Sequence, residues 1–386
     1  MKRPLRVLAV CVLMALTGCS GSQKQEPAAP ETGNNAEDGL KIAIVTSPTG
    51  VDDGSFNQNN FEGVQAFLNT HPDSGVTPVN EPTGDNAASV QAVADIAADY
   101  DVIIAPGFQF AGIGQLAADN PDVKFILVDS YPTDANGEET ELANVYAMQF
   151  AEQEGGFFAG VAAALETKTG KTAVVNGVAF PSNVNYQYGF EAGVNYAVKN
   201  LGAKAEYVEI PAYAGTDVAN RNIGGNYTGS FSDQAQGKVI GQALIAQGVD
   251  VLFVAAGGAG NGVFTAAKEA EDVKVIGCDV DQYDDGVNGE RNIVLTSALK
   301  IMDKNVEKQL NAIADGTFQG GNYLLKADSD STGYVSEKGR HQLSGHTITK
   351  LEQVYNQVKD GTIVPPSYTG SNTPDDFPGL DTAVRQ

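Results

Sequence analysis

From Leu40 onward, short continuous apolar runs alternate with amphipathic stretches. The runs include "KIAIVTSP", "DVIIAPG", "KFILVD", "TAVVNGVAF", "AEYVEI", "DVLFVAAG" and "KVIGCDV"; between them lie "SVQAVADIAADY", "GVNYAVKNLG" and "GQALIAQGV". Val/Ile/Leu-rich strands without polar alternation, separated by helical patterns, predict parallel sheets covered on both faces. The fold class is therefore α/β.

Two stretches repeat one another. "DVIIAPGFQFAGIGQLAADNPDVKFILVD" runs from Asp101 to Asp129, and "DVLFVAAGGAGNGVFTAAKEAEDVKVIGCD" from Asp250 to Asp279. Each opens on Asp-Val and an apolar strand, turns at glycine (Gly107; Gly257 and Gly258), and passes through an Ala-rich helix. Each then enters "DVK" and a strand ending in aspartate. Two β-α-β units can share composition by chance. The sharper reading is two Rossmann-like lobes of common plan, joined by a hinge, each delivering an Asp at the carboxyl end of a strand. Ligands of open parallel sheets bind beyond those ends, so facing lobes make a cleft that shuts by hinge motion. The expected boundaries are lobe one at 39–148 plus 284–316 and lobe two at 149–283 plus 317–366, with a loosely ordered polar tail at 367–386.

The amino terminus changes the picture. "MKRPLRVLAVCVLMALTG" has a basic start and an apolar run of signal-peptide length, too short to be read as a membrane span. It ends in "LTGC", which resembles a bacterial lipobox and implies cleavage before Cys19 and lipidation of its thiol. Residues 19–38 are polar and contain Pro and Gly, so they read as a disordered tether. The chain is expected to be anchored to a membrane, on its extracytoplasmic face, without spanning it.

Charge and cysteine content then exclude several classes. The net charge of −24 becomes −27 once the signal removes three cations, which argues against nucleic-acid binding. Cleavage and lipidation would leave Cys278 as a single thiol, inside "KVIGCDV", where it reads as a small buried hydrophobe; no disulfide framework or CxxC metal site is possible.

The junction "GVDDGSFNQNNFEGV", Gly50 to Val64, follows directly on the first strand. Ser55 and Gln58 have capping-box spacing, which starts a helix after Ser55. Asp52 and Asp53 precede that start, where one of them can serve only as a local cap. Phe61, Val64 and Leu68 share a helical stripe, and by pattern alone Phe61 is core.

These residues resemble a known family. "GVDDGSFNQNNFEG" is similar to the signature of the basic membrane protein lipoproteins, the purine nucleoside receptor-type substrate-binding proteins of ABC importers. Further matches are "NPDVKFILVD", "QEGGFFAGVAAAL", "GFEAGV", "GSFSDQAQGK", "VDVLFVAAGGAGNGVFTAAKE", "VIGCDVDQ" and "TSALK", in the family's order across roughly Leu40 to Pro366. The resemblance implies a type I periplasmic-binding-protein architecture and a non-enzymatic monomer without cofactor or metal, partnered by an ABC transporter permease. It implies a nucleoside held between aromatic rings. Asp52 would accept from the base and Phe61 would stack on one face; Phe231, or Tyr227 nearby, would stack on the other. Asp129 and Asp279 would receive ribose hydroxyl protons, helped by Lys300, and Gly258 would let its backbone approach the sugar. An Asp at position 52 suits the N1–H of guanosine and inosine better than adenosine.

Other readings remain. "GGAGNG" does not fit G-x-G-x-x-G, no phosphate loop or nucleophile elbow occurs, and His341 and His346 lie in a polar loop without a third ligand. A sugar or autoinducer could occupy the same two-lobed fold, because sugar sites also combine stacked aromatics with Asp and Asn.

Overall fold

The computed structural model describes residues 39–381; Cys19 and the tether lie outside them. Five strands come first: β1 (Lys41–Thr46), β2 (Gly75–Asn80), β3 (Val102–Pro106), β4 (Lys124–Val128) and β5 (Val145–Phe150). Leaving aside two short two-stranded ribbons, five more follow: β6 (Lys171–Asn176), β7 (Glu206–Tyr207), β8 (Val251–Ala255), β9 (Lys274–Gly277) and β10 (Val294–Lys300). The last two, β11 (Gly321–Leu325) and β12 (Thr332–Tyr334), are shared out between the sheets.

The first sheet has the order β11-β5-β4-β3-β1-β2 and is parallel throughout. The second has the order β12-β10-β9-β8-β6-β7, with only β12 antiparallel. In β1, Ile42 and Ile44 enter one core while Ala43 and Val45 enter another, all fully buried. Alternate residues of one strand thus feed both faces, which is why its sequence is a continuous apolar run.

The α/β class and the two-lobed plan hold. The later crossings fall elsewhere than the sequence suggested. Val294–Lys300, expected in lobe one, is a central strand of the second sheet; Gly321–Leu325, expected in lobe two, pairs with β5 of the first. Val294–Lys300 is buried on both faces and has no polar alternation to mark its sheet, whereas Gly321–Leu325 is a partly exposed edge strand whose place is decided by its pairing with β5. Between these two strands the helix Met302–Ala314 returns to lobe one. It buries Met302, Val306 and Leu310, spaced four apart, in one cluster with Val64 and Phe67 of the helix Phe56–Thr70.

Three crossings therefore join the lobes, and they are bonded to one another. Ala151 N donates to Leu325 O at 2.9 Å and Ile301 N to Ser331 O at 3.0 Å. Glu154, buried in the helix Glu152–Glu166, accepts from Ala327 N at 2.7 Å and Thr332 Oγ1 at 2.6 Å. Burial pushes its carboxyl above the ordinary glutamate value.

The tail is also more ordered than its polar composition suggests. Phe377 and Leu380 are buried in the core of lobe two, and Phe377 meets Phe157 edge-on with centroids 5.8 Å apart. Two apolar side chains among polar neighbours suffice to dock the segment. Phe377→Ala should lower the unfolding free energy by roughly 3 kcal/mol in urea denaturation. A change under about 0.5 kcal/mol, the size expected of a surface position, would mean that the segment is not docked.

Candidate functional site

The strand ends of both sheets face a cavity of about 600 Å³, counting the part open to solvent. Lobe one lines it with Ser47, Thr49, Phe56, Asn57, Phe108 and Asp129; lobe two adds Phe180, Tyr186, Phe231, Cys278, Asp279 and Lys300.

The two repeat aspartates occupy equivalent positions and share an unusual backbone. Asp129 follows β4 with φ 63° and Asp279 follows β9 with φ 69°, both in the left-handed region. Non-glycine residues rarely adopt that conformation, and such strain concentrates at binding sites. Both side chains are buried.

Their partners differ. Asp279 Oδ1 accepts from Tyr186 OH at 3.1 Å and Oδ2 from Ser55 Oγ at 3.1 Å, the latter bond crossing the cleft. Asp129 Oδ2 accepts from Lys300 Nζ at 2.5 Å, whereas its Oδ1 is buried without a hydrogen-bond partner. Lys300, only 2 % exposed, also pairs with Glu152 at 3.1 Å. Its ammonium lies 5.2 Å from the Phe56 ring centroid and 5.8 Å from that of Tyr186. Burial pushes Asp129 up, Lys300 opposes and Glu152 adds to the rise, leaving its pKa at about 7. Burial pulls Lys300 down, but Asp129, Glu152 and Asp279 outweigh it and hold the ammonium above its ordinary range.

The rings come from both lobes. Phe108 and Phe180 meet across the cleft with centroids 5.2 Å apart, and Phe180 lies 6.0 Å from Phe231. Phe231 packs so tightly on Gly177 that a Cβ there would stand 2.3 Å from the ring. Gly258, buried just behind the lining residue Gly257, has a similar constraint: a Cβ would meet Thr49 Cγ2 of the opposite lobe at 2.8 Å. These two glycines let the lobes and the ring approach.

Of the residues proposed from sequence, Asp129, Phe231, Asp279 and Lys300 converge on the cavity, with Gly258 adjacent to it. Asp52 does not; it is exposed and outside the lining. Phe61 does not either, and packs half-buried against the lobe-one core. Phe56, five residues earlier and directly after the N-cap position, turns into the cavity instead. Tyr227 is buried in a separate cluster, its OH bonded to Gln187 Oε1 at 2.7 Å, so Phe231 is the lining ring. The capping box is also absent. Asp53 takes the cap, accepting from Ser55 N, Asn57 N and Gln58 N at 3.0, 3.0 and 3.1 Å. That frees the Ser55 hydroxyl to reach Asp279.

Sequence reasoning missed Glu152, Tyr186, Asn57 and Phe180. Glu152 in "AEQEGG" looks like an acid at a helix start, and only its burial beside Lys300 distinguishes it. Nothing local marked the other three.

Two facing lobes, strained strand-end acids and a partly enclosed cavity between strand ends define a solute-binding protein. The comparisons agree: residues 40–211 and 213–361 match the family described as "ABC transporter substrate-binding protein PnrA-like". The chain belongs to that family. It is 30% identical over 385 residues to a "CD4+ T-cell-stimulating antigen" of Listeria monocytogenes, covering 95% of this chain and 99% of that one. It is 31% identical over 344 residues to the "ABC transporter nucleoside-binding protein BmpA" of Lactococcus lactis, covering 83% and 87%. Among solved structures, an ABC transporter solute-binding protein from Aeropyrum pernix superposes with a TM-score of 0.70 at 22% identity, covering 85% of this chain and 94% of that one. At that identity the likeness concerns the fold.

The raised Asp129 value has a signed consequence. Its folded pKa of about 7 lies above the unfolded value near 3.8, so between those two pH values the folded chain holds a proton that the unfolded chain has released, and the ion pair with Lys300 is complete only above about 7. This group thus contributes stability at acid pH that is lost as pH rises towards 7. Urea denaturation of the unliganded body between pH 5 and 8 should show wild type losing stability relative to Asp129→Asn. A pH-independent difference between the two would mean that Asp129 is ionised throughout.

Proposed function

We propose that this protein captures purine nucleosides in the interlobe cavity and delivers them to an ABC importer. The observation that carries the reading is Asp129 Oδ1, a buried carboxylate oxygen without a donor, beside Lys300 and within reach of a cavity lined by aromatic rings. A ribose hydroxyl supplies the missing donor. A purine supplies two apolar faces for Phe56 and Phe231, with offset ring packing that adds to the buried area. The sequence resemblance and the nucleoside-binding Lactococcus relative support the same ligand class.

In this reading Asp129 and Asp279 hold the sugar and Lys300 orients Asp129, while Gly258 leaves room for the backbone to approach. Because Asp129 and Phe56 belong to one lobe and Asp279, Lys300 and Phe231 to the other, a bound nucleoside stabilises the closed state through contacts with both. No chemical step is assigned to the protein. Cys19 carries the lipid that tethers it to the outer face of the cell membrane, and no helix among the described residues is long and apolar enough to cross a membrane.

The test is thermal unfolding of the soluble body with nucleosides, nucleobases and sugars, since a ligand of the folded state raises the melting temperature. Purine nucleosides should give a shift that is lost in Phe56→Ala and Phe231→Ala and retained in Phe61→Ala. A shift with a sugar and none with any nucleoside would overturn the ligand assignment while leaving the fold intact.

A further inference from the structure

We propose that Asn57, with Ser47 and Thr49, forms an uncharged reader of the base edge that favours adenosine over guanosine. This rests on the nucleoside reading above and names the base within it. All three residues line the cavity. Asn57 Nδ2 donates to Ser47 Oγ at 2.9 Å and to Thr49 Oγ1 at 3.1 Å, and the two hydroxyls lie 3.1 Å apart. Both amide protons are therefore used. One hydroxyl donates to the other, which leaves a single hydroxyl proton free. Asn57 Oδ1 is buried without a hydrogen-bond partner. The cluster so presents one acceptor and one donor to the cavity, and no charge.

Asp53 is the one junction carboxylate on the cavity wall, and the helix start holds it. Both Asp53 oxygens accept from backbone N–H groups of the helix start, and Asp52 is exposed away from the cavity. The guanosine and inosine preference inferred from Asp52 therefore loses its basis. Adenine offers an exocyclic amino donor beside a ring-nitrogen acceptor, the pair that an asparagine amide reads. Guanine offers two neighbouring donors, N1–H and N2–H, which match the paired oxygens of a carboxylate. Against Asn57, Ser47 and Thr49 one of those donors would be buried unpaired, which disfavours guanosine. Hypoxanthine, with one donor and one acceptor, fits the cluster as adenine does.

Calorimetric titration of wild type with adenosine, inosine and guanosine tests this. Adenosine should bind about tenfold more tightly than guanosine, the cost of one unpaired buried donor. Asn57→Asp should cut that ratio by tenfold or more by supplying a carboxylate. If that variant does not fold, Ser47→Ala decides, since removing the hydroxyl should weaken adenosine at least about threefold with a smaller effect on guanosine. Guanosine binding as tightly as adenosine to wild type, or a ratio unmoved by the variants, would overturn the inference. Nucleoside binding that needs Phe56 but ignores the base would sink this inference alone. Absence of any nucleoside binding would sink the functional reading with it.

Discussion

The ion pair between Lys300 and Asp129, with Glu152 as a third member, is the constraint around which the cleft is organised. Withdrawing these charges from water costs several kcal/mol per ion, and mutual attraction offsets that only with close geometry and hydrogen bonds on the remaining oxygens. The geometry is close, 2.5 Å to Asp129 and 3.1 Å to Glu152. The hydrogen bonding is incomplete, because Asp129 Oδ1 has no donor. A folded chain that retains such a defect at a cavity wall has a position that a ligand can complete. Lys300 ends a lobe-two strand and Asp129 a lobe-one strand, so the pair also draws the lobes together, beside the three bonded crossings.

The duplicated strand–helix–strand unit explains why the defect is one-sided. Asp129 and Asp279 arrive by the same route and share a left-handed backbone, yet only Asp279 has both oxygens bonded within the protein. Its partners Ser55 and Tyr186 come from opposite lobes, which makes Asp279 a clasp for the closed arrangement. The same acid, placed twice, thus bridges the lobes in one case and leaves a buried unmet acceptor in the other.

Much of this was legible in the sequence. Continuous apolar runs announced parallel sheets, and the repeat pointed to Asp129 and Asp279 before any pairing was known. What stayed illegible depended on side-chain direction and non-local pairing. Asp52 and Asp53 are adjacent and chemically identical, and only backbone geometry decides that Asp53 is spent on the helix start while Asp52 faces solvent. Phe56 and Phe61 both sit on the first helix; the stripe containing Phe61 marks core, as the structure has it, and Phe56 rather than Phe61 lines the cavity. β10, buried on both faces, carries no local mark of the sheet it joins, and β11, a partly exposed edge strand, takes its place from the non-local pairing with β5. The docking of Phe377 shows the opposite failure, where polar composition hid two anchoring side chains.

The most direct measurement is the crystal structure of the soluble body grown with a purine nucleoside. The account predicts the base between Phe56 and Phe231 and a ribose hydroxyl within hydrogen-bond distance of Asp129 Oδ1, with Lys300 still paired to Asp129. A nucleoside bound elsewhere on the molecule, or a cleft in which Asp129 Oδ1 remains without a donor, would contradict it.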